Sequence, residues 1–283
     1  MNNMIKKILK KLIYNVFILT NGIKKRDIII LATVTKTGTH YLRFILSYYI
    51  SLCRQEKVSS TDLSIVDRVF PNSWHIHYFF RKKITQTIYP STIGYIDMPR
   101  SHFSYQNSFY GSKVIHTYRN PLDYLTILWA TKFRFHKDSC QKYSQPFDLL
   151  DDYLPDFCDQ YLSMKQTVGK DVFRISFETL IKNPFHIVKQ ILIWLGHVPN
   201  DNYLNIAIDT ANSIITARVG ASEKWQRDGS VPYSKNEYNA FLEKLDKIGS
   251  VGIWKDYFDD SQLKYVELAL KKRNIDLYNF ILE

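Results

Sequence analysis

Residues 27–46, DIIILATVTKTGTHYLRFIL, constrain this chain more than any other stretch. The apolar, β-branched run from Asp27 to Thr33 stops at a short polar loop holding Lys36, Thr37, Gly38 and Thr39. Apolar residues then resume at Tyr41, Leu42, Ile45 and Leu46. A continuous apolar run followed by helical spacing predicts a buried strand, a tight turn and a helix over 39–53. Such a junction aims backbone N–H groups and the positive end of a helix at one point, which suits an anion. The loop is not the phosphate-binding sequence GxxxxGK[ST], in which the lysine follows the second glycine. Here Lys36 precedes the only glycine of the loop.

The same alternation recurs along the chain. Lys113 to Tyr118, KVIHTY, predicts a buried strand that runs into Arg119, Asn120 and Pro121. Pro121 suits the first turn of a helix, expected over 121–135. A helix over 147–168 and a strand over 171–177 follow. Asn183 and Pro184 then open a helix that closes at Gly196. Stretches 74–80 and 92–97 predict short strands or loop anchors. The last third, 197–283, reads as helix- and loop-rich, with a clear helix over 260–273. This order argues for one α/β domain with a central parallel sheet covered by helices on both faces. Ligands of such sheets sit beyond the carboxyl ends of the strands, where Lys36, Arg119 and the segment after Phe177 fall.

Composition narrows the partners only coarsely. A chain of 283 residues that is 45% hydrophobic and 15% aromatic is expected to bury one substantial core and is not disordered. Its net charge of +11 suits a polyanionic ligand, nucleic acid or an acidic membrane surface without choosing among them. Cys53, Cys140 and Cys158 are odd in number and far apart, which favours neither a disulfide framework nor a zinc site and predicts a reducing, cytoplasmic setting. No run approaches the ~18 apolar residues of a membrane-spanning helix. In the first 26 residues, Ile5, Ile8, Leu9, Leu12 and Val16 recur at helical spacing opposite Lys6, Lys7, Lys10 and Lys11. A basic amphipathic helix over 1–23 is expected. Two roles are open to it: peripheral contact through residues 1–20 with the inner face of a membrane, or docking on the domain at 24–283.

The loop order K-[ST]-G-T after a strand resembles the 5′-phosphosulfate loop of the sulfotransferases that use PAPS (3′-phosphoadenosine 5′-phosphosulfate), usually PKSGTTW. Lys36, Thr37, Gly38 and Thr39 match it, while Thr35, His40 and Tyr41 replace proline, threonine and tryptophan. KVIHTYRNPLDYLTIL is similar to the family's 3′-phosphate motif, KVIYVVRNPRDVAVS. Lys113, Val114, Ile115, Arg119, Asn120, Pro121 and Asp123 match. Where the family has a phosphate-binding serine this chain has Ile127, with Thr126 one position short. A plain ion pair between Arg119 and Asp123 is the structural alternative to phosphate binding. Between the two motifs, Arg100, Ser101 and His102 stand where the family carries its K-T-H with the catalytic histidine.

Two segments offer themselves for the third motif, RKGxxGDWKNxF. Arg218 to Gln226 keeps Arg218, Gly220 and Trp225. Lys247 to Phe258, the richer match, keeps Gly249, Gly252, Trp254, Lys255 and Phe258, but has Ile248 in place of a phosphate-binding lysine. Tyr41 and Phe177 correspond to the family's adenine contacts.

The resemblance implies a P-loop-NTPase-like sulfotransferase architecture and transfer of a sulfuryl group from PAPS to an acceptor hydroxyl or amine, with PAP released. It casts His102 as general base and Lys36 as the cation beside the leaving phosphate. Residues 37–40, with the backbone of His40, would hold the 5′-phosphate, and Arg119, Lys247 and Gly249 the 3′-phosphate, with Thr126 the candidate for the missing serine. It implies no metal and no nucleic-acid partner. The acceptor class is a small molecule or glycan, with carbohydrate or glycolipid favoured by the aromatic stretches. A P-loop kinase shares the layout but not the glycine spacing. A polyanion- or membrane-binding protein on the same fold is the non-enzymatic alternative.

Overall fold

The computed structural model describes residues 28–33, 38–56, 65, 93–96, 113–130, 142–166, 172–221 and 251–280. Four strands form one parallel sheet: β1 (Ile28–Thr33), β2 (Ile93–Ile96), β3 (Lys113–Tyr118) and β4 (Val172–Ser176), in the order β2-β1-β3-β4. The register pairs Leu31 with Ile115 and Thr117 with Ile175, so the carboxyl ends of β1, β3 and β4 lie side by side. Parallel neighbours require crossover connections; the helix Thr39–Cys53 lies in the one after β1, and the helices Pro121–Leu128 and Leu150–Gln166 lie between β3 and β4.

Each face of the sheet has its own core. On one face, Leu31, Ile115 and Ile175 pack under α1 (Thr39–Cys53), α5 (Pro184–Trp194) and α6 (Asp201–Ala221). On the other, Tyr118 packs with α2 (Pro121–Leu128), α3 (Leu150–Gln166) and α7 (Asp260–Lys271). The expected sheet with helices on both faces is therefore present. Alternation along β3 explains the division, because successive side chains point to opposite faces.

Helix boundaries follow local chemistry. Asn120 caps α2 by accepting the Leu122 N–H at 2.9 Å, with Pro121 in the first turn. After Leu128 the backbone widens into a π turn at Trp129 and Ala130, and the remainder of the helix expected to 135 lies outside the described residues. Asn183 caps α5, and Gly196 ends it at φ +90°, with the His197 N–H reaching back to the Leu192 carbonyl at 2.9 Å. The strand expected over 171–177 ends one residue early. Ser176 caps a short helix, α4 (Phe177–Lys182), by accepting the Thr179 N–H at 3.1 Å, so Phe177 opens a helix instead of closing a strand. The helix expected over 1–23 lies outside the described residues.

His116 is the least comfortable polar group in this core. It is fully buried on β3, and among the described residues neither ring nitrogen has a hydrogen-bond partner. Burial, then the neighbouring Arg174 charge, drives its pKa well below the ordinary histidine value, so the folded chain holds it neutral. The unfolded chain takes up a proton as pH falls through about 6.5, and the folded chain does not. Stability on account of His116 is therefore level above that pH and declines below it. His116→Phe is expected to raise stability at pH 7 by about 1–2 kcal/mol and to flatten the decline below about pH 6.5. Urea unfolding of both proteins at pH 5.5 and 7.5 measures this.

Candidate active site at the ends of three strands

The carboxyl ends of β1, β3 and β4 deliver Gly38, Arg119 and Phe177 to one place. Gly38 precedes α1 in the left-handed region, φ +79°, and its carbonyl accepts the Leu42 N–H at 3.0 Å. A Cβ added there would stand 2.7 Å from the Phe177 ring. The same ring also contacts Arg119, whose guanidinium carbon lies 4.1 Å from the ring centre. Phe177 thus spaces the first loop from the arginine.

Gly38→Ala would meet both obstacles at once, an unfavourable φ and a blocked Cβ. A loss of about 2–3 kcal/mol is expected, read as a fall of several degrees in Tm. Displacement of Phe177 should also weaken nucleotide binding.

Arg119 is only 1% exposed and pairs with Asp123 at 3.7 Å, the ion pair that the sequence offered as the structural alternative. The surroundings hold more than that pair. Asp123, itself fully buried, accepts the Gly252 N–H at 2.8 Å and the Trp254 N–H at 3.1 Å. Glu178, the residue after Phe177, accepts the Asn120 N–H at 2.9 Å. Burial pushes the Asp123 carboxyl up from its ordinary pKa, while Arg119 and the N–H groups of residues 252–254 pull it back. Burial likewise pulls Arg119 down, against the opposing charges of Asp123 and Glu178. Asp123 and the Phe177 ring contact the guanidinium, and the Glu178 charge adds to its stabilisation in a medium where charge interactions are strong.

The other sequence candidates fall as follows. The backbone of Thr39 and His40 opens α1. Tyr41 is buried, donates its hydroxyl to Asn212 Oδ1 on α6 at 2.9 Å, and has its pKa pushed up to about 12 by burial. Thr126 is buried and donates to the Leu122 carbonyl at 2.9 Å, while Ile127 lies in the core beside it. Thr126 thus keeps its helical position with no local shift of the turn. Lys113 is a structural anchor, donating to the Trp194 carbonyl at 2.9 Å. The 3-10 turn Ile253–Asp256 brings the Gly252–Trp254 part of the Lys247–Phe258 segment against Asp123, whereas Arg218 lies on α6. Lys36, Thr37, His102, Lys247 and Gly249 lie outside the described residues. Asp123 and Glu178 were not singled out as site residues by the sequence. The signals for Asp123 were its match in the RNPxD motif and its spacing for a pair with Arg119, and for Glu178 its place in SFETL.

A family model described as a sulfotransferase domain matches residues 26–276. The chain belongs to that family. Among curated proteins no match was found. Among solved structures, this sulfotransferase is similar to mouse sulfotransferase SULT7A1 complexed with PAP, at 16% identity and a TM-score of 0.57 over 89% of this chain and 86% of that one. It is also similar to retinol dehydratase in complex with androsterone and inactive cofactor PAP, at 13% identity and a TM-score of 0.54 over 89% and 82% of the two chains. A second structure of retinol dehydratase, with retinol and PAP, matches at 14% identity and a TM-score of 0.50 over 89% and 83%. At these identities the likeness is one of fold, and it is the P-loop-like α/β fold of sulfotransferases. The family match makes the chain a PAPS-dependent sulfotransferase.

Proposed function

We propose that this sulfotransferase carries the sulfuryl group to a hydroxyl of a small-molecule or glycan acceptor, a carbohydrate or glycolipid being favoured. One observation carries the assignment of its donor site: Gly38, Phe177 and Arg119 meet at three adjacent strand ends. The residues suit an anionic donor. Gly38 lets the Phe177 ring pack against the first loop, and Arg119 supplies a cation paired with Asp123.

PAPS, when bound, supplies a sulfuryl group on a phosphate leaving group. The chain supplies position and charge. The N–H groups at the start of α1, residues 37–40, are assigned to the 5′-phosphate, as befits a helix N-terminus. Arg119, with Lys247 and the Gly249 backbone, is assigned to the 3′-phosphate. Tyr41 and Phe177 flank the adenine side. Thr126 has its hydroxyl oxygen as an acceptor only while it donates to Leu122, so it contributes little to an anion. His102 takes the proton of the acceptor hydroxyl as that oxygen bonds to sulfur. The bond from sulfur to the bridging phosphate oxygen breaks, and Lys36 offsets the negative charge growing on that oxygen. Positioning and electrostatics dominate, as in phosphoryl transfer. The retinol dehydratase structures hold androsterone and retinol, both alcohols, and so agree with a hydroxyl acceptor. A cytoplasmic enzyme resting on the inner face of a membrane through residues 1–20 would meet a membrane-borne acceptor readily.

Incubation of the full chain with labelled PAPS and a panel of glycan, glycolipid, phenol and alkyl alcohol acceptors tests this reading. Label is expected on at least one hydroxyl acceptor. Lipid or glycan binding that is indifferent to PAPS, with no label transferred, would mark a polyanion-binding protein on a sulfotransferase fold.

A further inference from the structure

We propose that Asp123 is a positioning residue for donor selection, tying Arg119 and the turn that begins at Val251 into one unit that recognises the 3′-phosphate. The inference rests on the reading of this site as a PAPS site.

Asp123 stands four residues after Arg119, one turn along the chain at the start of α2. A carboxylate there helps a helix dipole even when exposed to water, so burial is not required for that task. Yet Asp123 is fully buried, and its two oxygens are engaged by a segment 129 residues away in sequence. Oδ2 accepts from Gly252 and also faces the Arg119 guanidinium; Oδ1 accepts from Trp254. Gly252 takes φ +83°, which turns successive N–H groups onto the carboxylate. Burying an ion at this cost is retained only where partners compensate it. Here the partners are the arginine assigned to the 3′-phosphate and the end of the glycine-rich turn assigned to the same phosphate. A displacement of the turn therefore displaces the carboxylate that orients Arg119. Glu178 also holds Asn120, the residue next to Arg119, by accepting its N–H at 2.9 Å.

The distinguishing ligand pair is PAP and AMP, which differ by the 3′-phosphate alone. Calorimetric titration of the full-length protein should show wild type preferring PAP. Asp123→Asn keeps the shape but removes the charge and turns an amide N–H₂ toward one of the turn's donors. It should weaken PAP binding ~10- to 100-fold while AMP binding stays within about threefold. Gly252→Ala strains the turn from the other side through its φ of +83°, since among the described residues an added Cβ meets only the Lys255 side chain, at 3.8 Å. It should reduce the preference for PAP in the same direction, by at least about threefold. Equal weakening of both ligands in these variants would assign Asp123 a purely structural role and overturn the proposal, as would an unchanged PAP-to-AMP ratio. If Asp123→Asn does not fold, the ratio in Gly252→Ala decides. A wild-type protein with no preference for PAP would bring down the donor-site reading and this inference with it. A wild-type preference that survives both substitutions would bring down the inference alone.

Discussion

Arg119→Ala is expected to lower kcat/KM for PAPS by on the order of 10²–10³-fold, corresponding to about 3–4 kcal/mol of lost charge-assisted contact. The guanidinium is buried, fixed against Phe177 and set by Asp123, so little reorganisation precedes contact with an anion. The loss should fall on ligands that carry a 3′-phosphate and largely spare AMP. Arg119→Lys keeps the charge but not the planar fork, and should recover only part of the affinity. The same substitution by alanine leaves Asp123 and Glu178 buried without their cation. A fall of about 3–5 kcal/mol in folding stability should therefore accompany the kinetic defect. Denaturant titration alongside nucleotide titration separates the two. A variant that loses stability but keeps its PAP affinity would confine Arg119 to the ion pair.

His102→Ala should produce the complementary pattern. Removal of a general base typically costs on the order of 10²–10⁴-fold in rate, and here it should appear in kcat with PAP affinity unchanged. The expectation follows from the chemistry of the acceptor, whose hydroxyl must lose its proton as its oxygen bonds to sulfur. A histidine meets that need near neutral pH. The pH profile of kcat in the wild type should fall on the acid side as His102 becomes protonated, and the alanine variant should lose that limb. A variant with full kcat would reassign the base.

The two substitutions probe parts of the site that were legible in the sequence to different depths. The β-branched run ending at Thr33, the cap at Asn120-Pro121 and the Asn183-Pro184 to Gly196 helix each carry a local signal, and each element stands where that signal placed it. The start of α4 was missed because Ser176 acts as a cap only once the chain turns there; in sequence, SFETL reads equally well as the end of a strand. The length of α6 was hidden for a different reason. Its buried stripe is built of Leu204, Ala207, Ile208, Ala211 and Ile214, and the two alanines weaken its apolar period although they let α1 pack close. The role of Asp123 is the deepest case. Its motif match was visible, but its partners Gly252 and Trp254 are supplied by tertiary folding across more than a hundred residues. Local reading could offer only the pair with Arg119, four positions away.

That pair also shows why a structural and a functional reading need not exclude each other. An ion pair that orients an arginine is a means of presenting it, and catalysis by electrostatics depends on charges held in place before the substrate arrives. Phe177 serves in the same way, filling the space between Gly38 and Arg119 so that the two phosphate elements keep their separation.

The most direct test of this account is calorimetric titration of the full-length protein with PAP and, in parallel, with AMP. A PAPS-dependent sulfotransferase with Arg119 at its 3′-phosphate site predicts one saturable site for PAP, at least ~10-fold tighter than for AMP. Absence of saturable PAP binding would contradict it.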